Sequence, residues 1–349
     1  YFLFTIVLII LVCIGYSSYA LFSFTKTSTN VIEGTVGELK KSGADTLIKL
    51  TDNTNDSGLY TITHPADNTL QIGATESITE YRYRGASPKN YVTFNNEVWR
   101  IIGIFPTDDG AGKIENRIKI IKNESIGIKY WDTSGSNNWA RPATLNTELN
   151  TTYLNSLDST SKSMIGQAKY YLGGKNVTYN YGYADTPLQF YSYERKIQNT
   201  TSNEFYYGSN PNNWVGKLGL MYASDYGYAS SNCENKKIWD DSNPSNDIRA
   251  CNDTNWLYIN SDEWLLNQNS EDVSFVYSIG ESGSVFSKEA PILIPLKYRP
   301  VLYLKSNVKN TGCYSTDSEG ICTNTKALRN RSEKIFRVKH CFQTSSSLL

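Results

Sequence analysis

Residues 91–105 read YVTFNNEVWRIIGIF. Tyr91–Phe94 and Val98–Phe105 are dense in β-branched and aromatic side chains, which suit a pleated, half-buried surface. Asn95-Asn96 joins them as a tight turn. Asp108-Asp109-Gly110 makes a second turn, and Arg117-Ile-Lys-Ile-Ile-Lys122 then alternates polar with apolar. The stretch predicts a three-strand antiparallel meander.

Downstream, Leu145, Leu149, Tyr153 and Leu157 recur every four residues after Pro142, which predicts a helix with one apolar face. Ile165, Ala168 and Leu172 predict a second helix, stopped by Gly173-Gly174. Residues 175–255 are rich in Tyr, Asn and Gly with little periodicity, apart from a strand at Lys217–Tyr222. A loop region that long is usually functional. Strands return at Val273–Tyr277, Val285-Phe286, Ile292–Ile294 and Arg299–Leu304. Strands early, helices next and strands late describe an α+β domain: a mixed, antiparallel sheet with two helices and a long loop region.

Upstream, Asp52-Asn-Thr-Asn-Asp56-Ser-Gly58 looks like a calcium loop, but Gly falls one position late and Thr63 stands where a closing Glu belongs. It reads as a turn. Residues 26–58 are polar and read as a stalk. Residues 1–25 carry no charged side chain. Such a run is long enough for a helix across the ~30 Å apolar core of a bilayer. It reads as a membrane anchor or, alternatively, a cleaved signal peptide, with Ser18 and Ala20 as small residues before a cut. The expected organisation is anchor or signal 1–25, stalk 26–58, domain 59–308, and a disulfide loop with a basic tail at 309–349. The anchor reading places the rest on the outer face of the membrane, with the N-terminus inside, and the signal-peptide reading secretes it.

Composition narrows the function. The 349 residues hold 34 Lys+Arg against 34 Asp+Glu, so no net basic charge meets the phosphates of a nucleic acid. Two histidines, His64 and His340, leave little material for zinc sites or histidine-based triads. Cys233 with Cys251 and Cys313 with Cys322 are close in sequence, as local disulfides of an oxidising compartment would be, though other pairings fit the spacing as well.

Tyr81–Phe105, Leu220-Met-Tyr-Ala-Ser-Asp-Tyr-Gly-Tyr228, the Cys233/Cys251 region, Trp256-Leu257 and Arg299–Leu304 resemble a group of N-terminally anchored surface proteins of low-GC Gram-positive gut bacteria. More distantly, the layout is similar to the C-type lectin-like domain, the scaffold shared with formylglycine-generating enzymes. That resemblance implies strands at both ends, two helices and a disulfide-stapled, ligand-binding loop region. Trp239-Asp240-Asp241 between cysteines is similar to the lectins' calcium segment, but Asp240 stands where Asn is expected and no partner triplet follows. Calcium-dependent sugar binding therefore does not transfer residue by residue.

Candidate site residues follow. Trp131, Trp139, Trp214 and Trp239 lie in polar loops, where exposed rings beside amides suit the C–H faces of sugars; the same placement also suits rings that plug the loops' own core. Asp225, Tyr226 and Tyr228 join them from the Leu220–Tyr228 loop. Asp240, Asp241, Asn243 and Asp247 are candidate ligands for Ca²⁺, a hard cation that takes oxygen donors. No other cofactor and no catalytic residue is expected. Trp99, Trp256 and Trp264 read as packing, and His64 as structural. Three functions fit: a non-catalytic surface module binding glycan or protein through residues 130–255, a carboxylate-dependent glycan hydrolase, or a filament subunit assembling through its N-terminal helix. The first is the reading adopted.

Overall fold

The computed structural model describes residues 42–66, 76–175, 185–240, 242–289 and 294–310, and the backbone of strands at 315–316, 322–324 and 335–338. The N-terminal apolar segment, the basic tail apart from the 335–338 backbone, Asp241 and Cys313 lie outside the described residues, and of Cys322 only the backbone is described.

The meander is present. Strands β3 (Tyr91–Phe94), β4 (Glu97–Asp108) and β5 (Ile114–Lys122) pair antiparallel in sequence order. Asn95 and Asn96 both take positive φ, 53° and 57°, the left-handed pair that a two-residue hairpin turn requires. β4 is long enough to hold two partners on its other edge. Its first half pairs with β3, and its second with β2 (Ile78–Arg84), which pairs in turn with edge strand β1 (Gly58–His64). Gly103 permits the β2 crossing, because a Cβ there would sit 2.1 Å from the backbone oxygen of Tyr81.

Late strands complete the sheet. β14 (Val301–Tyr303) pairs with β5 on one side and with β9 (Leu218–Gly219) on the other. A second sheet runs β12 (Val285–Glu289), β11 (Phe275–Ile279), β10 (Glu263–Gln268), β13 (Leu296–Lys297) and β6 (Ile128–Lys129), with β10–β13 parallel and the other pairs antiparallel. β7 (Ala168–Tyr171) and β8 (Asn213–Gly216) form a separate ribbon. The architecture is α+β with mostly antiparallel sheets and few helices. Trp99, Trp256 and Trp264 are buried.

Several elements differ from the sequence reading. The compact unit begins at Gly43, inside the stretch read as stalk: a Gly43–Ile48 helix buries Ala44 and Leu47. The helix after Pro142 forms as Thr144–Thr147, a π segment Glu148–Tyr153 and Leu154–Ser156, burying Leu145 and Leu149. The second expected helix splits. Ser159–Met164 is helical, whereas Ala168–Tyr171 is strand β7. Gly173-Gly174 is no helix stop. A Cβ on either would lie about 2 Å from a backbone oxygen, Tyr193 O at 2.1 Å and Gln268 O at 1.9 Å, so the glycines allow two chain segments to touch. Two further helices, Pro187–Glu194 and Ala223–Gly227, rise from the region read as loop. Asp52 Oδ1 accepts from Thr54 N and its hydroxyl, so that stretch is a turn.

Candidate functional site

The densest chemistry lies inside the molecule. In β2, Glu80 and Arg82 are two residues apart and so share one face; both are buried. β1 ends on His64 and β5 adds Lys119. Glu194 closes the Pro187–Glu194 helix, with Arg195 as its C-cap, and Asp225 lies in the Ala223–Gly227 helix. The Pro187–Glu194 helix starts where it does because Thr186 and Gln189 form a reciprocal capping box with Pro187 at the first turn.

These groups interlock. Arg82 Nε and Nη2 donate to Glu80 Oε2 at 3.0 and 2.8 Å, and its Nη1 donates to Asp225 Oδ1 at 3.0 Å. Lys119 Nζ donates to Asp225 Oδ2, and Tyr222 N donates to that same oxygen at 2.9 Å. Arg195 Nη2 lies 3.6 Å from Glu80 Oε1, and its Nη1 donates to Glu194 Oε2 at 3.1 Å. Glu194 also accepts from the Ser224 hydroxyl, Ser224 N and Asn267 Nδ2. Aromatic faces cover the cations. The Arg195 guanidinium sits 3.5 Å above the Tyr191 ring, and Arg82 lies over Phe105 and Tyr228.

Arg82, Lys119 and Arg195 balance Glu80, Glu194 and Asp225, and all six are buried. Burial works to raise the Glu80 and Asp225 carboxyls, but the adjacent cations outweigh it and hold both below the ordinary range. Burial pushes the Glu194 carboxyl up and the Lys119 amine down. His64 completes the balance as a neutral ring. Burial lowers its pKa against the pull of Glu80, whose Oε2 is 3.3 Å from Nε2, while Nδ1 has no hydrogen-bond partner among the described residues. A cluster this enclosed is a lock between β1, β2, β5 and two helices. It offers no open face to a substrate.

Most sequence-selected residues belong to such internal structure. Asp225 is the hub of the charge cluster. Tyr226 is buried with its hydroxyl donating to Gly283 O, and Tyr228 is buried beside Arg82. Trp131 and Trp139 are wholly buried and pack on each other, so the expectation of exposed, ligand-facing rings does not hold for them. Trp131 Nε1 donates to Leu265 O, which ties its loop to β10. Trp214 is half-buried, wedged against Trp139 and Tyr170. Trp239 is half-buried beside Phe286.

Of the expected calcium ligands, Asp241 lies outside the described residues, while Asp240, Asn243 and Asp247 spend oxygens on protein groups. Asp247 accepts from Asp240 N and Arg249 N and is ion-paired with the Arg249 guanidinium. The Ser242 hydroxyl and the Lys237 ammonium hold the Asp240 carboxyl down at about 2. Asn243 is exposed and spends its own carbonyl on Ser245. Among the described residues no three His, Cys, Asp or Glu side chains converge as a metal site. Cys233 and Cys251 do form a disulfide, with Cα atoms 6.4 Å apart.

An open concavity accompanies this closed interior. A groove of about 360 Å³ is lined by Thr93, Asn95, Asn96, Asp158, Thr160 and Ser161, with Phe94 and Met164 at its base. Asn95 Oδ1 accepts from Asp158 N at 2.8 Å, which ties the β3–β4 turn to the Ser159–Met164 helix and holds the groove's two walls together. Sequence reasoning did not select this groove, because its walls, joined at Asn95 and Asp158, are 63 residues apart and neither carries a motif. No family model, curated protein or solved structure matches this chain.

Proposed function

We propose that this chain is a non-catalytic surface module that binds an extracellular glycan or protein partner on the outer face of the cell membrane. The observation that carries the reading is the groove between the Asn95-Asn96 turn and the Ser159–Met164 helix. Its hydroxyls, amides and single carboxylate, above apolar Phe94 and Met164, match the mixed polar edge and C–H face of a sugar. The groove stands partly inside and partly upstream of the 130–255 region expected to bind. The buried charge cluster is consumed by internal pairing, which favours recognition over acid–base chemistry. A C-type lectin-like fold is the finer reading. Pairing of late strand β14 with early strand β5 and the Cys233–Cys251 staple support it.

A glycan array with the full chain tests the proposal. An Asn96→Gly/Thr160→Ala double variant removes two exposed groove side chains, glycine keeping the positive φ of the turn, and is expected to lose at least about tenfold in retention, the effect of roughly 1.4 kcal/mol, with nearly unchanged thermal stability. Retention is expected to be equal in calcium and in chelator, since Asp240 and Asp247 are already engaged. An array profile unaltered by the double variant would remove the groove from the proposal.

A further inference from the structure

Lys119 and Asp225 differ from the other described lysine–carboxylate pairs in their burial. Both side chains are 1% exposed, and Nζ of Lys119 touches Oδ2 of Asp225 directly. Nζ lies 4.5 Å from the centre of the Tyr222 ring, 5.3 Å from Phe105 and 5.5 Å from Tyr303. The other carboxylate oxygen is held by Arg82 Nη1, and Tyr222 N donates to the oxygen that faces the lysine.

We infer that Lys119 and Asp225 condense after folding into an intramolecular isopeptide bond joining β5 to the Ala223–Gly227 helix, 106 residues apart in sequence.

The pair contains all the atoms this reaction needs. A bond forms between Nζ of Lys119 and Cγ of Asp225, and the Cγ–Oδ2 bond breaks. Of the three ammonium protons, one stays on the amide nitrogen and two leave with Oδ2 as water. An ammonium and a carboxylate become a neutral amide, so charge balances and no oxidant or other co-reactant takes part. Burial pushes the lysine toward the free amine that attacks. Oδ2 departs as water after gaining two protons, the one the ammonium releases before attack and a second from the nitrogen once it is bonded to Cγ. Arg82 stays on Oδ1, where negative charge builds in the tetrahedral intermediate, as a donor already in position. Fixed contact supplies the proximity, for which effective molarities of about 10⁵–10⁸ M are known. The product also removes two charges from a dry interior, where ions are costly to hold. Arg82 and Arg195 then remain against Glu80 and Glu194, so the cluster stays balanced.

The test is mass spectrometry of the full chain, folded, then denatured and digested. The expected result is a branched peptide joining the Lys119 and Asp225 segments, lighter by one water than their sum. Amine labelling in denaturant is expected to leave Lys119 unmodified while other lysines react. A Lys119→Arg variant loses the branch; should it not fold, the unmodified chain still decides the matter. Recovery of the two linear peptides with Lys119 labelled overturns the inference. So does a water loss that maps to Asp109-Gly110, where an aspartyl-glycyl step can cyclise by itself. Either outcome leaves the groove untouched, so the proposed recognition function stands or falls separately.

Discussion

His64 meets a charged group or a ring on each side. Its ring lies parallel to Tyr191 at 3.6 Å and edge-on to Tyr228, with Glu80 and Arg82 approaching from β2 and Arg195 from the neighbouring helix end. A proton on this ring would add a cation beside two arginines whose countercharges are already shared. Because burial lowers the folded pKa, the unfolded chain binds the proton first as pH falls. Stability from this group is therefore complete above the ordinary histidine value of about 6.5 and declines below it, by at most about 1.4 kcal/mol per pH unit, until the folded ring also protonates. Glu80 and Asp225 are shifted down instead, so their contribution is lost only in the more acidic range below ordinary carboxylate values. The two windows separate. His64→Phe keeps the stack on Tyr191 and is expected to flatten the stability curve just below about pH 6.5, measured by urea unfolding across pH. An unaltered slope would place the titration elsewhere. At this scale the sequence was partly legible: a lone histidine before Pro65 reads as structural, yet nothing local announces Glu80 as its partner.

Elements with a complete local signal were legible. The meander is one, since turn chemistry and β-branched runs agree. The Leu145/Leu149 helix is another. Ala168–Leu172 shows where such reading fails, because Ala168, Tyr170 and Leu172 are buried at period two and Ile165 joins them only by chance spacing. The Pro187–Glu194 helix carried a readable start in Thr186-Pro187 and Gln189, obscured by the aromatic-rich surroundings. Cys233 and Cys251 staple the segment that runs between the Ala223–Gly227 helix and β10, which has no long element of its own. Closing an 18-residue span contributes about 3 kcal/mol on the chain-entropy model. Reduction, or Cys233→Ser with Cys251→Ser, is expected to lower urea-unfolding stability by roughly that amount. An unchanged midpoint would mean that the unfolded chain is already constrained there.

Across the whole molecule, the class was legible and the site was not. Early and late strands meeting in one sheet follow from their order along the chain. The charge cluster draws on β1, β2, β5, two helices and β10, and each contributor looks ordinary in its own stretch. Lys119 is the clearest example. Arg117–Lys122 alternates as if its cations faced water, but Arg117, Lys119 and the isoleucines between are all buried because the strand is covered on both faces. The outer boundary of that sheet has a device of its own. Asn53 Nδ2 donates to Thr61 O, and Asn53 Oδ1 accepts from Thr61 N, so one side-chain amide imitates a neighbouring strand at the middle of β1. An exposed strand edge is a template for self-association. This amide plugs it, and so bears on how densely such molecules can crowd together without fusing sheet to sheet. Asn53→Ala is expected to raise the aggregated fraction on concentration, read by light scattering, while the isolated molecule unfolds at nearly the same temperature. If crowded variant molecules stay as dispersed as the unaltered chain, β1 is protected by other means.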